Sequence, residues 1–97
     1  MKITKEAVPL NSFKRDLKLA DKRGFDLSEI DRIIDLIIDG DDLEPRHKKH
    51  KLYHNYRGCW ECHIKPDLLL IWYEDQDTIY LRRLGSHSEL FDKVRKR

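Results

Sequence analysis

YRGCWECHIKPDLLLIW, running from Tyr56 to Trp72, holds two strand-like runs joined by a turn at Lys65 and Pro66. In the first run Trp60, Cys62 and Ile64 fall on one side, and Glu61 and His63 on the other. Successive side chains of a strand point to opposite faces, so this pattern predicts an apolar core face backed by a wet one. The second run, Leu68 to Tyr73, has no alternation, which predicts a central strand buried on both faces. His63 is thus expected on an exposed sheet face, close to a turn that offers the carboxylate of Asp67. Two histidines, His50 and His54, precede it, and His87 follows in the segment Gly85-Ser86-His87-Ser88.

Ninety-seven residues make one domain, 1–97, with material for a single modest core. Apolar and charged residues each contribute 39%, so that core must be compact under a densely charged surface. No run of 18 apolar residues predicts a membrane span, and no basic-then-apolar leader opens the chain; a cytoplasmic protein is expected. Charge is unevenly spread. Residues 1–45 carry 8 lysines and arginines against 11 acids, whereas residues 46–97 carry 12 against 7. The positive second half points to a polyanionic partner; a solvated surface of mixed charge is the plainer reading.

Cys59 and Cys62 form a C-x-x-C spacing. Two thiols cannot complete a four-thiolate zinc site, and residues three apart on a strand face opposite ways. Cys62 is expected in the core and Cys59 as a surface thiol, with no metal and no cofactor.

Outward from this centre, Lys2 to Ala7 is β-compatible, an edge strand anchored by Ile3. Pro9 is expected to open a helix, since its missing N–H costs nothing there. Phe13, Leu17 and Ala20 set its core stripe and Gly24 its end. Asp26, Leu27, Ser28 and Glu29 form a capping-box pattern. They start a second helix with Ile30, Ile33, Ile34 and Ile37 on one face and a solvated row of Asp31, Asp35 and Asp39. After Pro45 the sign flips in Arg46-His47-Lys48-Lys49-His50-Lys51, with Tyr53 and Tyr56 just beyond. Cations beside aromatics suit phosphates and stacked bases, so Arg46, Lys48, Lys49 and Lys51 are candidate RNA contacts. His47 and His54 read as surface residues of that loop. Residues 74–77 form a hairpin loop, 78–84 a further strand, and Ser86 to Phe91 a short capped helix before a basic tail, Lys93 to Arg97. The predicted fold is α+β, in the order β-α-α-β-β-β-α, with a helical hairpin on a small, mostly antiparallel sheet.

Histidine can take and give a proton near neutral pH, which metal-independent RNA cleavage requires. One group must draw the proton from a ribose 2′-OH, another must protonate the departing 5′-oxygen, and a cation must meet the charge on phosphorus. His63 with Asp67 would serve as base, Arg83 as cation and His87 as acid. Equally, His63 and Asp67 would merely fix the turn, Arg83 would be a strand-end arginine and Phe91 a core residue. On composition and spacing, ribonuclease stands beside a basic RNA- or protein-binding module.

Four segments resemble the YafQ branch of the RelE superfamily, the ribosome-dependent mRNA endoribonuclease toxins of bacterial toxin–antitoxin pairs. They are Lys49-His50-Lys51-Leu52, His63-Ile64-Lys65-Pro66-Asp67, Leu70-Ile71, and Arg83 through Phe91, with Phe13-Lys14-Arg15-Asp16 and Leu17 to Ala20 matching in the opening helix. The resemblance implies a microbial RNase-like fold that cuts mRNA in the ribosomal A site without a metal. It assigns His50, His63, Asp67, His87 and Phe91 to the active site, with Arg83 added. It also implies a cognate antitoxin that covers the basic face, and contact with operator DNA only through the antitoxin complex. Leu68 departs from the pattern, which often has tryptophan there, so base stacking at that position and codon preference are in question. Two other readings share the fold: a ParE-like protein acting on gyrase, which lacks this histidine set, and an inactive module that keeps only antitoxin binding.

Overall fold

The computed structural model of the chain describes residues 4–91. Its elements are β1 (Glu6–Pro9), α1 (Asn11–Lys22), α2 (Leu27–Ile38), β2 (His50–Lys51), β3 (Trp60–Lys65), β4 (Leu68–Glu74), β5 (Thr78–Gly85) and α3 (His87–Phe91). The strands form one sheet in the order β1-β5-β4-β3-β2. Every neighbouring pair is antiparallel except β1 with β5. This is the α+β helical hairpin on a sheet that the patterning predicts, with one strand more: two-residue β2 lies inside the basic run.

The unbroken apolar run of β4 has the expected cause. It is the middle strand, and Leu68 through Trp72 are all buried. Tyr73, the last residue of that run, is instead exposed near the end of the strand. On one face Cys62, Leu70, Trp72, Ile79, Leu81 and Leu84 meet Phe13, Ala20, Ile30, Ile33 and Ile37 of the helical hairpin. Each large side chain so buried contributes about 1.5–3 kcal/mol. The other face carries a smaller cluster, Cys59, Leu69, Ile71 and Leu90, flanked by Leu52, Tyr56 and Phe91.

Pro9 does not open α1. It is the last residue of β1, opposite Leu81, and Leu10 takes the N-cap position. Proline lacks a donor, and at the end of an outer strand none is needed. The predicted first strand is therefore shifted along the chain, still at the sheet edge; Lys2 and Ile3, like Lys93 to Arg97, lie outside the described residues. The cap of α2 forms as predicted at its first residue: the Asp26 carboxylate accepts from the Ser28 N–H at 3.0 Å and from the Ser28 hydroxyl at 2.6 Å. Those bonds hold the Asp26 carboxyl below its ordinary range.

Cys59 is a correction. It is buried at 2% exposure, in the smaller cluster, whereas Cys62 lies in the larger one on the opposite face. The opposite-face reasoning thus holds, but the second face is covered, because α3 folds back across it. Burial pushes the Cys62 thiol up to about 12. Among the described residues no helix is long and apolar enough to cross a membrane.

Candidate active site

The face covered by α3 is also where the polar residues gather. Glu61 stands opposite Ile71, and His63 opposite Leu69, which in turn stands opposite Gly85 at the end of β5. His63 and the start of α3 are therefore level with each other across three adjacent strands. His50 stands opposite Glu61 from β2.

Glu61 is 4% exposed, a buried carboxylate rather than part of a wet face. Burying a charge is costly unless it is paired. Its partners are the two histidines: Glu61 Oε1 lies 3.0 Å from His50 Nε2 and 3.7 Å from His63 Nε2. The other ring nitrogen of His50, Nδ1, donates to the Lys48 carbonyl at 2.7 Å. With Nδ1 donating, the close Nε2–Oε1 contact needs a second proton, on the imidazole or on the carboxyl. Lys48 holds that carbonyl in place from a left-handed backbone, φ 49°, an unfavourable conformation for lysine.

Two arginines come to this face because β5 carries a bulge. Ile71 stands opposite Arg83 while its neighbour Trp72 stands opposite Leu81, which leaves Arg82 as the extra residue. The Arg82 guanidinium lies over the Tyr56 ring at 5.1 Å and donates to Cys59 Sγ at 3.4 Å. Arg83 donates through Nε to Asp16 of α1 at 2.7 Å, and the same carboxylate oxygen accepts from the Leu84 N–H at 2.9 Å. Beyond Leu81, β5 has no β1 partner, and Asp16 satisfies that open edge while fixing Arg83. This bond, against some opposing burial, raises the Arg83 pKa further above its already high value; Asp16's charge and Tyr56 add to it.

His87 begins α3. Its ring is exposed and stacks on Phe91 at 4.9 Å, and Phe91 meets Tyr56 edge-on at 5.3 Å. Tyr56 in turn donates from its hydroxyl to the Leu90 carbonyl at 2.8 Å. Phe91 is thus both a core residue and the shelf for His87. The capping box forms reciprocally: Glu89 N–H donates to Ser86 Oγ at 3.2 Å, and Ser86 N–H to Glu89 Oε1 at 2.9 Å. Gly85 serves by its lack of a side chain. A Cβ there would meet Glu89 Oε1 at 2.9 Å, so glycine lets the cap close against the strand end.

Among the sequence-predicted site residues, His50, His63, Arg83, His87 and Phe91 share this face. No hydrogen bond or ion pair joins His63 to Asp67; Asp67 is exposed on the turn and lines a separate depression with Arg23, Ser86 and Glu89. The carboxylate beside His63 is Glu61. Its i, i+2 spacing put both on one face from the start, but the sequence does not show that β2 would bring His50 against it. Lys49 and Lys51 part from His50: their ammonium groups lie over Trp60 at 4.8 and 5.3 Å, on the face of the helical hairpin. Arg46 is exposed and pairs with Glu44 at 2.8 Å. His47 is not a surface residue. It is 2% exposed, and its Nδ1 donates to the His63 carbonyl at 2.6 Å. His54 is exposed, as expected. Leu68 is buried in the main core, so it offers no base a stacking surface.

A family model described as the bacterial toxin of type II toxin–antitoxin system, YafQ, matches residues 5–92. The mRNA interferase toxin YafQ of Escherichia coli strain B/BL21-DE3 is 31% identical over 80 residues, 81% of this chain and 87% of that protein. YafQ in the crystal structure of the E. coli DinJ–YafQ toxin–antitoxin complex superposes with a TM-score of 0.84 at 28% identity, covering 92% of this chain and 99% of that one. A metal-bound toxin from Helicobacter pylori superposes at 0.83 with 38% identity, covering 94% of this chain and all of the other. The chain belongs to the YafQ family of bacterial toxins of type II toxin–antitoxin systems.

Proposed function

We propose that this chain is an mRNA endoribonuclease that acts on the translating ribosome and cuts by acid–base chemistry without a catalytic metal. The observation that carries the reading is the pairing of His50 and His63 through one buried carboxylate on the face where α3 presents His87. The base function belongs to the His50–Glu61–His63 cluster, which would take the proton of a ribose 2′-OH. The 2′-oxygen then bonds to the adjacent phosphorus, the bond from phosphorus to the 5′-oxygen breaks, and His87 gives the leaving oxygen its proton. The products are a 2′,3′-cyclic phosphate and a free 5′-OH. Asp16 holds Arg83 rigid, so its remaining donors would meet the charge on phosphorus without reorganisation. Asp67 would act at the rim, near the start of α3. Phe91 keeps the His87 ring in one orientation. Arg46, Lys48, Lys49 and Lys51 would contact phosphates of mRNA or ribosomal RNA; their removal should then flatten the salt dependence of ribosome binding.

The E. coli relative crystallised with its antitoxin supports a cognate antitoxin for this chain. Contact with operator DNA would come only through such a complex. Ribosomes as the site of action imply the cytoplasm. Induction in growing bacteria followed by primer extension on mRNA tests the function. Cuts in frame with codons are expected; DNA damage without cuts would point to a gyrase-directed toxin, and neither would point to a binding module. Cleavage of free RNA at high enzyme concentration should persist in EDTA. Loss of that cleavage, restored by one added metal, would overturn the metal-free mechanism.

A further inference from the structure

Beyond the cluster at His63 and His87, the same sheet face continues towards the far end of β4 and β5. There Tyr73 and Tyr80 stand opposite each other, their rings 5.9 Å apart and tilted by 32°. Tyr73 is 47% exposed, so its ring offers an open face to a stacking partner. The two rings, with Leu10, Arg57, Cys59 and Arg82, line a shallow groove of about 480 Å³ with no acidic residue among the described ones. We propose that this groove is a subsite for single-stranded RNA, holding a nucleotide that flanks the cleaved bond; the inference rests on the ribonuclease reading above.

Three observations favour RNA as the occupant. Aromatic rings offer a platform to any base, and the two arginines complement the phosphates between bases. Arg82 belongs to both regions: it lines the groove and lies over Tyr56, which reaches Phe91 and so His87. The groove is thus continuous with the face that would do the chemistry. Finally, the bulge that frees Arg82 lies between the two regions, at Ile71 and Trp72, so one irregularity of the sheet serves both.

The test compares two non-cleavable RNA oligonucleotides, deoxy-substituted at the 2′ position, one just spanning the cleavage step and one extended by several nucleotides on both sides. Wild type should bind the longer RNA more tightly. Combined Tyr73→Leu and Tyr80→Leu substitution should remove roughly tenfold of that gain and leave the short RNA unaffected, while Tyr73→Trp should keep it. Arg57→Gln should lower the salt slope for the long RNA by about one. Thermal melting checks that the variants remain folded. If wild type gains nothing from the longer RNA, or the leucine variant keeps the whole gain, the subsite is refuted and the cleavage reading stands. Loss of antitoxin affinity with RNA affinity intact would also refute it, assigning the groove to the antitoxin. A wild-type protein that binds neither RNA, whether free or placed in a ribosome, refutes both readings.

Discussion

One sheet presents two faces of opposite character, built from alternate residues of the same strands. On the face of the helical hairpin, Cys62, Leu70 and Trp72 are sealed against Phe13, Ile30 and Ile33, and polar groups meet only its margins. On the face of α3, the alternate residues Glu61, His63, Leu69, Ile71 and Arg83 mix a carboxylate, an imidazole and a guanidinium with a small apolar patch. The difference teaches where stability and chemistry reside. Two long helices bury one face almost completely and supply most of the fold's energy. A single short helix covers part of the other face, enough to bury Cys59 and Leu69 and to present His87, while β2 brings His50 over Glu61.

That contrast can be broken from either side. The largest effect on stability belongs to the sealed face. Ile33→Ala should cost about 2–5 kcal/mol, read as a lower urea midpoint, with the cleavage rate per folded molecule unchanged. A rate that falls as steeply as the stability would mean that the two faces are not separable.

Glu61→Gln comes next and acts on the open face. The amide keeps the size of the side chain but not the charge shared between His50 and His63. Cleavage should slow by roughly ten- to a hundredfold, the scale associated with misplacing a reacting group, and ribosome binding should persist. If Glu61→Gln cleaves at the wild-type rate and Asp67→Asn does not, the turn carboxylate is the one that matters.

The smallest effect concerns the cap of α3. Glu89 accepts the Ser86 N–H and, against a little burial, also pairs with Arg23, which together hold its carboxyl below the ordinary 4.5. A lowered folded pKa contributes stability above the unfolded carboxylate range, and this is lost as pH falls through the folded value. Glu89→Gln should therefore lower the melting temperature slightly at pH 7, by the equivalent of about 0.5 kcal/mol for so exposed a pair. The two melting curves should converge in acid. A gap that widens in acid would contradict the cap as described.

Much of this was legible in the residues. Unbroken apolar β4, the isoleucine stripe of α2 and the capping boxes at Asp26 and Ser86 are local patterns, and each element formed where its pattern lies. What escaped depends on contacts between distant segments. Glu61 reads as solvated because nothing near it in sequence announces β2. Cys59 and His47 looked exposed for the same reason. Asp67 drew attention as a neighbour of His63 along the chain, but the turn carries its carboxylate away from the histidine. Arg82 was hidden because a bulge reverses the facing that strict alternation assigns, and Asp16 because its partner lies 67 residues away. Gly85 gives no sign in the sequence of its part, which is the space it leaves for Glu89.

The proton that His87 gives to the leaving 5′-oxygen is the most exposed point of the mechanism. Replacing that oxygen by sulfur removes the need for a proton, because a thiolate leaves unaided. The decisive measurement is the single-turnover cleavage rate of His87→Ala on matched oxygen and sulfur substrates, with wild type alongside. On the oxygen substrate the variant should be slower by about 10²–10⁴-fold, the range of general acid catalysis, while melting close to wild type. On the sulfur substrate most of that loss should disappear. A variant equally slow on both substrates, or as fast as wild type on oxygen, would contradict His87 as the acid.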